Sequence, residues 1–298
     1  MNIIKPPVLK QGDTIGILAP SGAVDEDTTP IMAAIDYFSK LGFKTLVSND
    51  LYLKKRYLAG DDLTKVKNIH AFFENPKINA IICMRGGYGA IRLIDKIDYS
   101  IIRNNPKIFC GYSDITALNL MFLKRAGLMT YSGPMIMSDF GQTERSEYTM
   151  NEFFKALTED KYSIFGETVI KQGEADGILW GGNLATTTSL CGIDFIPDEP
   201  FIFIAEDICE PVYKIDRMLR QLINIDKFRQ NVKGLCFGYF ADTDNRDWLL
   251  ELFKETSDEL NVPCTRGFKI THTSCKTTVP IGAKAKLNGL ELFINKSL

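Results

Sequence analysis

The sequence predicts an α/β protein whose N-terminal half forms a parallel β-sheet with helices on both faces. Short apolar runs alternate with helix-length segments over residues 14–110, which is the pattern that βαβ units produce. A charged and polar stretch begins at residue 138, and strand and helix patterns resume after it. We therefore expect two domains, at residues 1–140 and 173–298, joined by a connection at residues 141–172.

Strand and helix patterns alternate in the first half. The strands are expected at 14–20, 44–47, 80–84 and 107–110, and the helices at 30–41, 61–73 and 98–103. In a parallel sheet, ligands bind beyond the carboxyl ends of the strands. Arg85 follows one strand end and Ser113 follows another, so we expect these two segments to meet in space.

The second half is expected to mix strands with helices. A helix is expected at 151–157 within the connection, strands at 201–205, 234–238, 283–287 and 290–294, and an amphipathic helix at 214–222. The sequence shows no internal repeat and no low-complexity tract.

The composition favours a protein that acts on a small molecule or a peptide. The 298 residues are 45% apolar and 24% charged, and the formal net charge is only −2. Such a charge gives no electrostatic reason to expect nucleic acid or an anionic membrane as a partner. No apolar run approaches the ~20 residues that span a bilayer, and the N-terminal residues do not resemble a secretory signal.

The cysteines favour a cytoplasmic location. There are seven, they are scattered along the chain, and no two form a C-x-x-C pair. We interpret them as reduced thiols, most of them buried. The sequence also lacks H-E-x-x-H, cysteine-cluster and EF-hand patterns, so we expect neither a metal nor another cofactor. It leaves open whether the chain forms a homodimer.

Residues 107–120 carry the most informative pattern. A short apolar run ends at Gly111, Ser113 follows, and a helical apolar pattern then begins. A sharp turn between a strand and a helix exposes a hydroxyl beside free backbone N–H groups, which can hold an oxyanion. The match to G-x-S-x-G is incomplete, because Ile115 stands where the second glycine would be. Ser113 is therefore either a nucleophile or a serine that caps the helix.

A base and an orienting carboxylate for Ser113 have few candidates. Of the two histidines, His70 lies in a helical segment, whereas His272 lies in a polar loop, where catalytic groups are often found. Glu206 follows a strand of five apolar residues and begins an acidic cluster. Ser113, Glu206 and His272 could form a triad in that chain order. Alternatively, Glu206 caps the next helix or pairs with Arg217, and His272 is structural.

Two glycine-rich segments adjoin the expected strand ends. Residues 85–89 lack the G-x-G-x-x-G spacing of a dinucleotide site, so a backbone-donating oxyanion loop is at least as plausible. In that case the Asp114 N–H and a second N–H from Gly87 would stabilise the oxyanion. Residues 181–184 form either a tight turn beside the site or a turn at the domain entry.

Five segments together resemble the LD-carboxypeptidases of the S66 serine peptidase class. They lie in the family's order over nearly the whole chain, and together they are specific although each is modest alone. The segments are RGGYG at 85–89, GYSDITA at 111–117, GILWGGNL at 177–184, EDICEPVYKIDRML at 206–219, and His272 ahead of VPIG at 279–282.

The resemblance implies a fold and an activity. The family combines an N-terminal α/β domain with a smaller, β-rich C-terminal domain, and its site lies between them. Its members cleave an amide between an L-type centre and a D-residue, usually releasing the terminal D-alanine of a cytosolic murein tetrapeptide. A related branch cleaves a peptide–nucleotide antibiotic and gives self-immunity. A non-catalytic ligand-binding protein on the same fold is the alternative from another class.

The resemblance also implies roles for single residues. Ser113 matches the nucleophile, His272 the base and Glu206 the acidic member of the triad. We expect Arg85 either to hold the terminal carboxylate of the substrate or to form a salt bridge. Further expected contacts to the substrate come from Gly86, Trp180, Asn183 and Glu210.

Two residues depart from the family pattern. Thr271 stands where the family usually has glycine before the histidine, which could shift the loop and reduce activity. Trp180 stands where the murein enzymes often carry a smaller aliphatic residue. Its side chain either stacks on a substrate or packs beneath the loop.

Overall fold

The computed structural model describes residues 2–24 and 27–297. Its strands form one sheet of six and one of eight, with helices packed against both. The strands, numbered along the chain, are β1 (Thr14–Leu18), β2 (Lys44–Val47), β3 (Ala80–Cys83), β4 (Ile108–Cys110), β5 (Thr130–Ser132), β6 (Lys161–Phe165), β7 (Thr168–Lys171), β8 (Glu174–Asn183), β9 (Phe201–Ile208), β10 (Val232–Ala241), β11 (Cys264–Arg266), β12 (Val279–Ile281), β13 (Lys284–Asn288) and β14 (Glu291–Asn295).

Several helices begin at residues that suit a helix N-terminus. The Asp61 carboxylate accepts a hydrogen bond from the Thr64 N–H at 3.0 Å, and the Ser146 hydroxyl accepts one from the Thr149 N–H at 3.3 Å. The helices are α1 (Thr29–Lys40), α2 (Asp62–Glu74), α3 (Tyr99–Asn104), α4 (Thr116–Met121), α5 (Glu147–Thr158), α6 (Leu184–Ser189), α7 (Val212–Ile223), α8 (Asp226–Asn231) and α9 (Arg246–Leu260).

The first sheet has the strand order β12-β5-β4-β3-β1-β2. The pairs from β5 to β2 are parallel, whereas β12 lies antiparallel to β5 at the edge. All four residues of β3 are buried, because a parallel sheet is covered on both faces. The carboxyl ends of β3 and β4 are adjacent, and this edge of the sheet carries Arg85 and Ser113.

The second sheet has the order β6-β14-β13-β8-β9-β10-β11-β7. Its centre, from β8 to β11, is parallel, and the strands on either side are antiparallel. Strand β9 is buried over its first seven residues, so it delivers Glu206 and Asp207 at its end from the middle of a covered sheet.

The expected fold class is confirmed: the molecule is α/β, and its first sheet is mainly parallel. The expected strands of the first half correspond to β1, β2, β3 and β4. The segment at 141–172, which we expected to be a connection, contains α5, β6 and β7, and both of these strands pair within the second sheet. The domain boundaries themselves stay a prediction.

The two sheets share one large apolar core. A single cluster of buried side chains includes Phe109 and Leu118 from the first half and Trp180 and Phe203 from the second. Helix α4, which follows Ser113, is buried over all six residues.

In the part of the chain at 2–24 and 27–297, no helix is both long and apolar enough to cross a bilayer.

Candidate active site

Ser113 lies on a sharp turn between β4 and α4. Its backbone has φ +62°, in the left-handed region that serine rarely adopts, and it opens a short 3₁₀ turn, Ser113–Ile115. No side chain caps this turn or α4. The capping interpretation is therefore wrong, and the geometry is that of a strand–turn–helix connection that exposes a hydroxyl.

His272 and Glu206 form a close pair. The distance from Nδ1 of His272 to Oε2 of Glu206 is 2.6 Å. The Glu206 side chain is 4% exposed and that of His272 is 14% exposed, so this hydrogen bond is largely shielded from water. A buried carboxylate on Nδ1 orients the ring and leaves Nε2 to exchange protons with a substrate or nucleophile.

Ser113 and His272 line the same cleft, which has a volume of about 340 Å³. The ring of Tyr112 packs edge-on against the ring of His272, with the ring centres 5.0 Å apart. The residues lining the cleft are Arg85, Gly86, Gly87, Tyr112, Ser113, Met135, Met137, Ser138 and His272.

The glycine loop at residues 85–89 lies directly against Ser113. A Cβ atom at Gly86 would come within 2.9 Å of the Ser113 Cβ and 3.1 Å of its Oγ, so only glycine fits there without a shift. The same Cβ would lie 3.5 Å from the Asp114 nitrogen. Backbone groups of the loop and of the turn therefore adjoin one hydroxyl, as an oxyanion site requires.

The Asp114 carboxylate ties this loop to the turn. It accepts hydrogen bonds from the Ala90 N–H at 2.8 Å and from the Ser21 hydroxyl. Burial raises the pKa of this carboxyl, although both hydrogen bonds oppose that shift. The Gly22 N–H, next in the chain to Ser21, donates to the Gly86 carbonyl at 3.2 Å. The sequence pattern indicates a role for the backbone N–H of Asp114 but gives no sign of the role of its carboxylate.

Asn183 supports the acidic end of β9. Its Nδ2 donates to Oδ1 of Asp207 at 2.9 Å and lies 3.4 Å from Oε1 of Glu206. Asp207 also accepts from the N–H groups of Ala185 and Ile208, each at 2.9 Å. Burial raises the pKa of Asp207 to about 6. Asn183 is buried and does not line the cleft, so it contacts the carboxylates of Glu206 and Asp207 and not the open space.

Trp180 is buried away from the cleft, which corrects the interpretation that its side chain stacks on a substrate. Its side chain is 0% exposed, so nothing in the cleft can stack on it. The indole is surrounded by aromatic rings, whose centres lie 4.9–6.2 Å away and which belong to Phe195, Phe201, Phe203 and Phe228.

The other expected contacts have distinct positions. Arg85 is half-buried, lines the cleft and donates from Nη1 to the Ala23 carbonyl at 3.2 Å. Glu210 lies before α7, with its carboxylate 3.3 Å from the Lys214 ammonium, and is not among the residues that line the cleft.

The Thr271 hydroxyl accepts a hydrogen bond from the Thr273 N–H at 3.1 Å, within the loop that carries His272.

Part of the cleft wall has no signal in the sequence. Met135, Met137 and Ser138 follow β5, which is only three residues long and gave no strand pattern.

Within the described residues, no group of three or more His, Cys, Asp or Glu side chains is placed to hold a metal ion.

Comparisons with known proteins agree with this fold. The family model of the LD-carboxypeptidase N-terminal domain matches residues 15–133, and that of the LD-carboxypeptidase C-terminal domain matches residues 176–287. A probable murein peptide carboxypeptidase of Bacillus subtilis is 36% identical, over 96% of this chain and 92% of that protein. The microcin C7 self-immunity protein MccF of Escherichia coli is 26% identical, over 97% and 93%. The crystal structure of an MccF-like protein from Bacillus anthracis superposes with a TM-score of 0.92 and 28% identity, covering 98% of this chain and 99% of that one.

Proposed function

The chain belongs to the S66 family of serine peptidases, the LD-carboxypeptidases, and from that membership we propose that it removes the terminal D-alanine from murein tetrapeptides. The observation that carries this proposal is the 2.6 Å pair between His272 and the buried Glu206, with His272 in the wall of a cleft that Ser113 also lines. These are the three groups that a serine hydrolase needs.

In this mechanism, His272 accepts the proton of Ser113 as the Oγ atom attacks the scissile carbonyl. Glu206 keeps the Nδ1 proton in place and stabilises the imidazolium that forms. The N–H groups of Gly87 and Asp114 donate to the oxyanion of the tetrahedral intermediate. His272 then protonates the leaving amine of the D-residue. A water molecule, activated by the same ring, hydrolyses the acyl-enzyme and frees Ser113.

Arg85 is the proposed partner for the terminal carboxylate of the substrate. Its guanidinium group lies in the wall of the cleft and is held from one side by the Ala23 carbonyl. A charge-assisted, bidentate contact with a carboxylate would select the end of a peptide chain over an internal position. We further propose that the enzyme works in the cytoplasm, in recycling of murein peptides, where its free thiols would stay reduced.

A second substrate class is a toxic peptide–nucleotide conjugate. The similarity to a self-immunity protein and to an MccF-like structure supports this alternative. Both substrates would use the same triad and would differ in what lies beyond the scissile amide.

The test is an assay of the purified protein against murein tripeptide, tetrapeptide and pentapeptide and against a peptide–nucleotide conjugate, with products identified by mass spectrometry. We expect release of D-alanine from the tetrapeptide and none from the tripeptide. Ser113→Ala protein is the matched control. Preferential cleavage of the conjugate would replace the murein peptide with the second substrate. Absence of turnover on every substrate, with no labelling of Ser113 by a fluorophosphonate, would favour a non-catalytic binding protein.

A further inference from the structure

A buried ion pair joins the two halves of the molecule beside the cleft. The Lys276 ammonium contacts the Asp139 carboxylate, and their side chains are only 4% and 2% exposed. Asp139 lies in the turn after β5, in the first half of the chain. Lys276 lies four residues after His272, in the irregular segment between β11 and β12, which we call the His272 loop (residues 267–278).

The His272 loop has no regular secondary structure. Backbone hydrogen bonds hold its first residues against β10, as in the bond from the Tyr239 N–H to the Ile270 carbonyl at 3.0 Å, and side chains of α5 hold its later residues. The Thr149 hydroxyl of α5 accepts from the Lys276 N–H at 2.9 Å and donates to the Ser274 carbonyl at 2.6 Å. The hydroxyls of Tyr148 and Thr277 are 2.7 Å apart. The contacts with α5 all hold the loop after His272, on its Lys276 side.

The ion pair also contacts the wall of the cleft. One oxygen of Asp139 accepts from the Met135 N–H at 2.9 Å and from the Ser138 hydroxyl at 2.7 Å, and both of these residues line the cleft. On its other side, the Lys276 ammonium lies 4.8 Å from the ring centre of Tyr112, the ring that packs against His272.

A buried ion pair contributes little to net stability, since the loss of hydration offsets most of the attraction between the charges. Its contacts are nevertheless directional, because Asp139 accepts hydrogen bonds from Lys276, Met135 and Ser138, and the Lys276 ammonium lies between Asp139 and the Tyr112 ring. We infer that the Asp139–Lys276 pair is a positioning device, which fixes the His272 loop against the cleft wall and thereby sets the ring of His272 relative to Ser113. This inference rests on the proposed role of His272 as the base.

The experiment uses two single variants and a double variant of the whole chain. Lys276→Met and Asp139→Asn each leave one buried charge without a partner, so both are expected to lower Tm. The double variant Lys276→Met/Asp139→Asn removes both charges and keeps an acceptor for the Met135 N–H, so its Tm is expected to return close to that of the wild type. Its kcat is expected to stay about 10–100-fold below that of the wild type, with KM changed by less than about threefold.

The matched control is Lys296→Met, which removes another buried lysine that bonds to α5, at the Ala156 carbonyl, away from the cleft. It is expected to lower Tm and leave kcat unchanged. If the double variant regains kcat together with Tm, the ion pair is only structural and the inference is wrong.

A readout without substrate separates this inference from the proposed function. The chain has two histidines, so imidazole NMR spectra resolve His272, with His70 as an internal reference. His70 lies elsewhere, accepting from the Asp98 N–H at 2.9 Å. The Nδ1–H signal of His272 is expected to shift or broaden in the double variant, while that of His70 stays. An unchanged His272 signal would overturn the inference, whereas a changed signal in a protein without turnover would overturn only the proposed function.

Discussion

Ser113 keeps a backbone conformation that costs a non-glycine residue on the order of 1 kcal/mol or more. The conformation directs its side chain to the cleft and brings the backbone of Gly86 against it. Neither the turn nor α4 uses the Ser113 hydroxyl as a cap. Strain of this kind is concentrated at functional sites, where the geometry is worth its cost in stability.

The triad assignment predicts which substitutions abolish turnover. Ser113→Ala is expected to remove it and leave Tm nearly unchanged, and His272→Ala to have nearly the same effect on kcat, since members of a triad act as a unit. Glu206→Gln is expected to keep the shape of the site but to lower kcat strongly, because the imidazolium loses its counter-charge. Steady-state kinetics with thermal melts test these outcomes. Glu210→Gln is the control, and loss of turnover there but not at Glu206 would reverse the carboxylate assignment.

The oxyanion assignment can be tested with a pair of glycines. Gly87 and Gly192 have similar φ angles, +110° and +106°, and a Cβ would meet nothing closer than 3.5 Å at Gly87 and nothing within 4 Å at Gly192. Alanine should therefore strain the backbone similarly at both positions and lower Tm by similar amounts. Only Gly87→Ala is expected to reduce kcat, by about 10²–10³, the effect of losing one oxyanion donor. Equal kcat values for the two variants would remove Gly87 from the site.

Arg85 predicts a dependence on the charge at the end of the substrate. Amidation of the terminal carboxylate is expected to raise KM sharply for the wild type, because the guanidinium loses its ionic partner. Arg85→Ala should raise KM for the free acid and change it little for the amide. Comparison of kcat/KM for the two substrates measures this preference. An Arg85→Ala variant that weakens both substrates equally would show that another group binds the carboxylate.

Individual residues of the site differed in how far the sequence could predict them. Ser113, Glu206 and His272 each stand at the end of a strand or in a polar loop, and the structure brings them to one region. Trp180 was ambiguous, because sequence does not distinguish a tryptophan that faces a cleft from one among buried rings. Lys276 gave no signal, since its partner is 137 positions away and no local pattern records such a contact.

At the scale of single elements, β9 carries two adjacent carboxylates with different tasks. Glu206 pairs with His272, whereas Asp207 accepts three hydrogen bonds, from Asn183 and from the N–H groups of Ala185 and Ile208. Asp207 thus fixes the end of the strand to the start of α6. Its burial raises its pKa from an ordinary value of 3.8 to about 6.

This raised pKa predicts a pH-dependent contribution to stability. Below about pH 4, Asp207 is protonated in both the folded and the unfolded chain, so no free energy of unfolding is lost. As the pH rises from about 4 to 6, the unfolded chain ionises first and stability falls, by on the order of 3 kcal/mol once the pH exceeds the folded pKa. Asp207→Asn should lack this change. Urea unfolding of both proteins between pH 4 and 7.5 measures the difference, and a difference that does not vary with pH would contradict the prediction.

The elements themselves were predictable where their patterns are long or fully apolar. The buried strands β3 and β9 and the amphipathic helix α7 were expected close to their observed positions. The strands β5 and β12, each of three residues, were not predicted from the sequence. Strands this short depend on partners that are distant in sequence, since β5 pairs with β4 and β12, so local periodicity carries little information about them.

At the scale of the whole molecule, the two halves depend on one another. Helix α4 contributes Thr116, whose hydroxyl accepts from the Asn183 N–H at 3.2 Å, and a Cβ at Gly182 would come within 2.8 Å of that hydroxyl. Strand β12 completes the first sheet from the second half of the chain. The core cluster continues without a break from one half to the other.

Separate expression of the halves tests this dependence. Residues 1–140 lack β12 and the apolar surface that covers α4, so we expect that fragment to show no cooperative thermal transition. Residues 141–298 would expose the other side of the same core and should behave likewise. Co-expression of both fragments is expected to restore a folded complex. A sharp melting transition for residues 1–140 alone would mean that the shared core is not needed for folding.

The position of β12 and the His272 loop also has a consequence for synthesis on the ribosome. About 160 residues separate Ser113 from His272, and at about 5–20 residues per second the ribosome needs on the order of 8–30 s to add them. During that interval the nascent chain carries Ser113 without His272, and β5 lacks its partner β12. In the mechanism proposed above, the peptidase stays inert until His272 has been translated, and β12, which closes the first sheet, follows His272 by only seven residues.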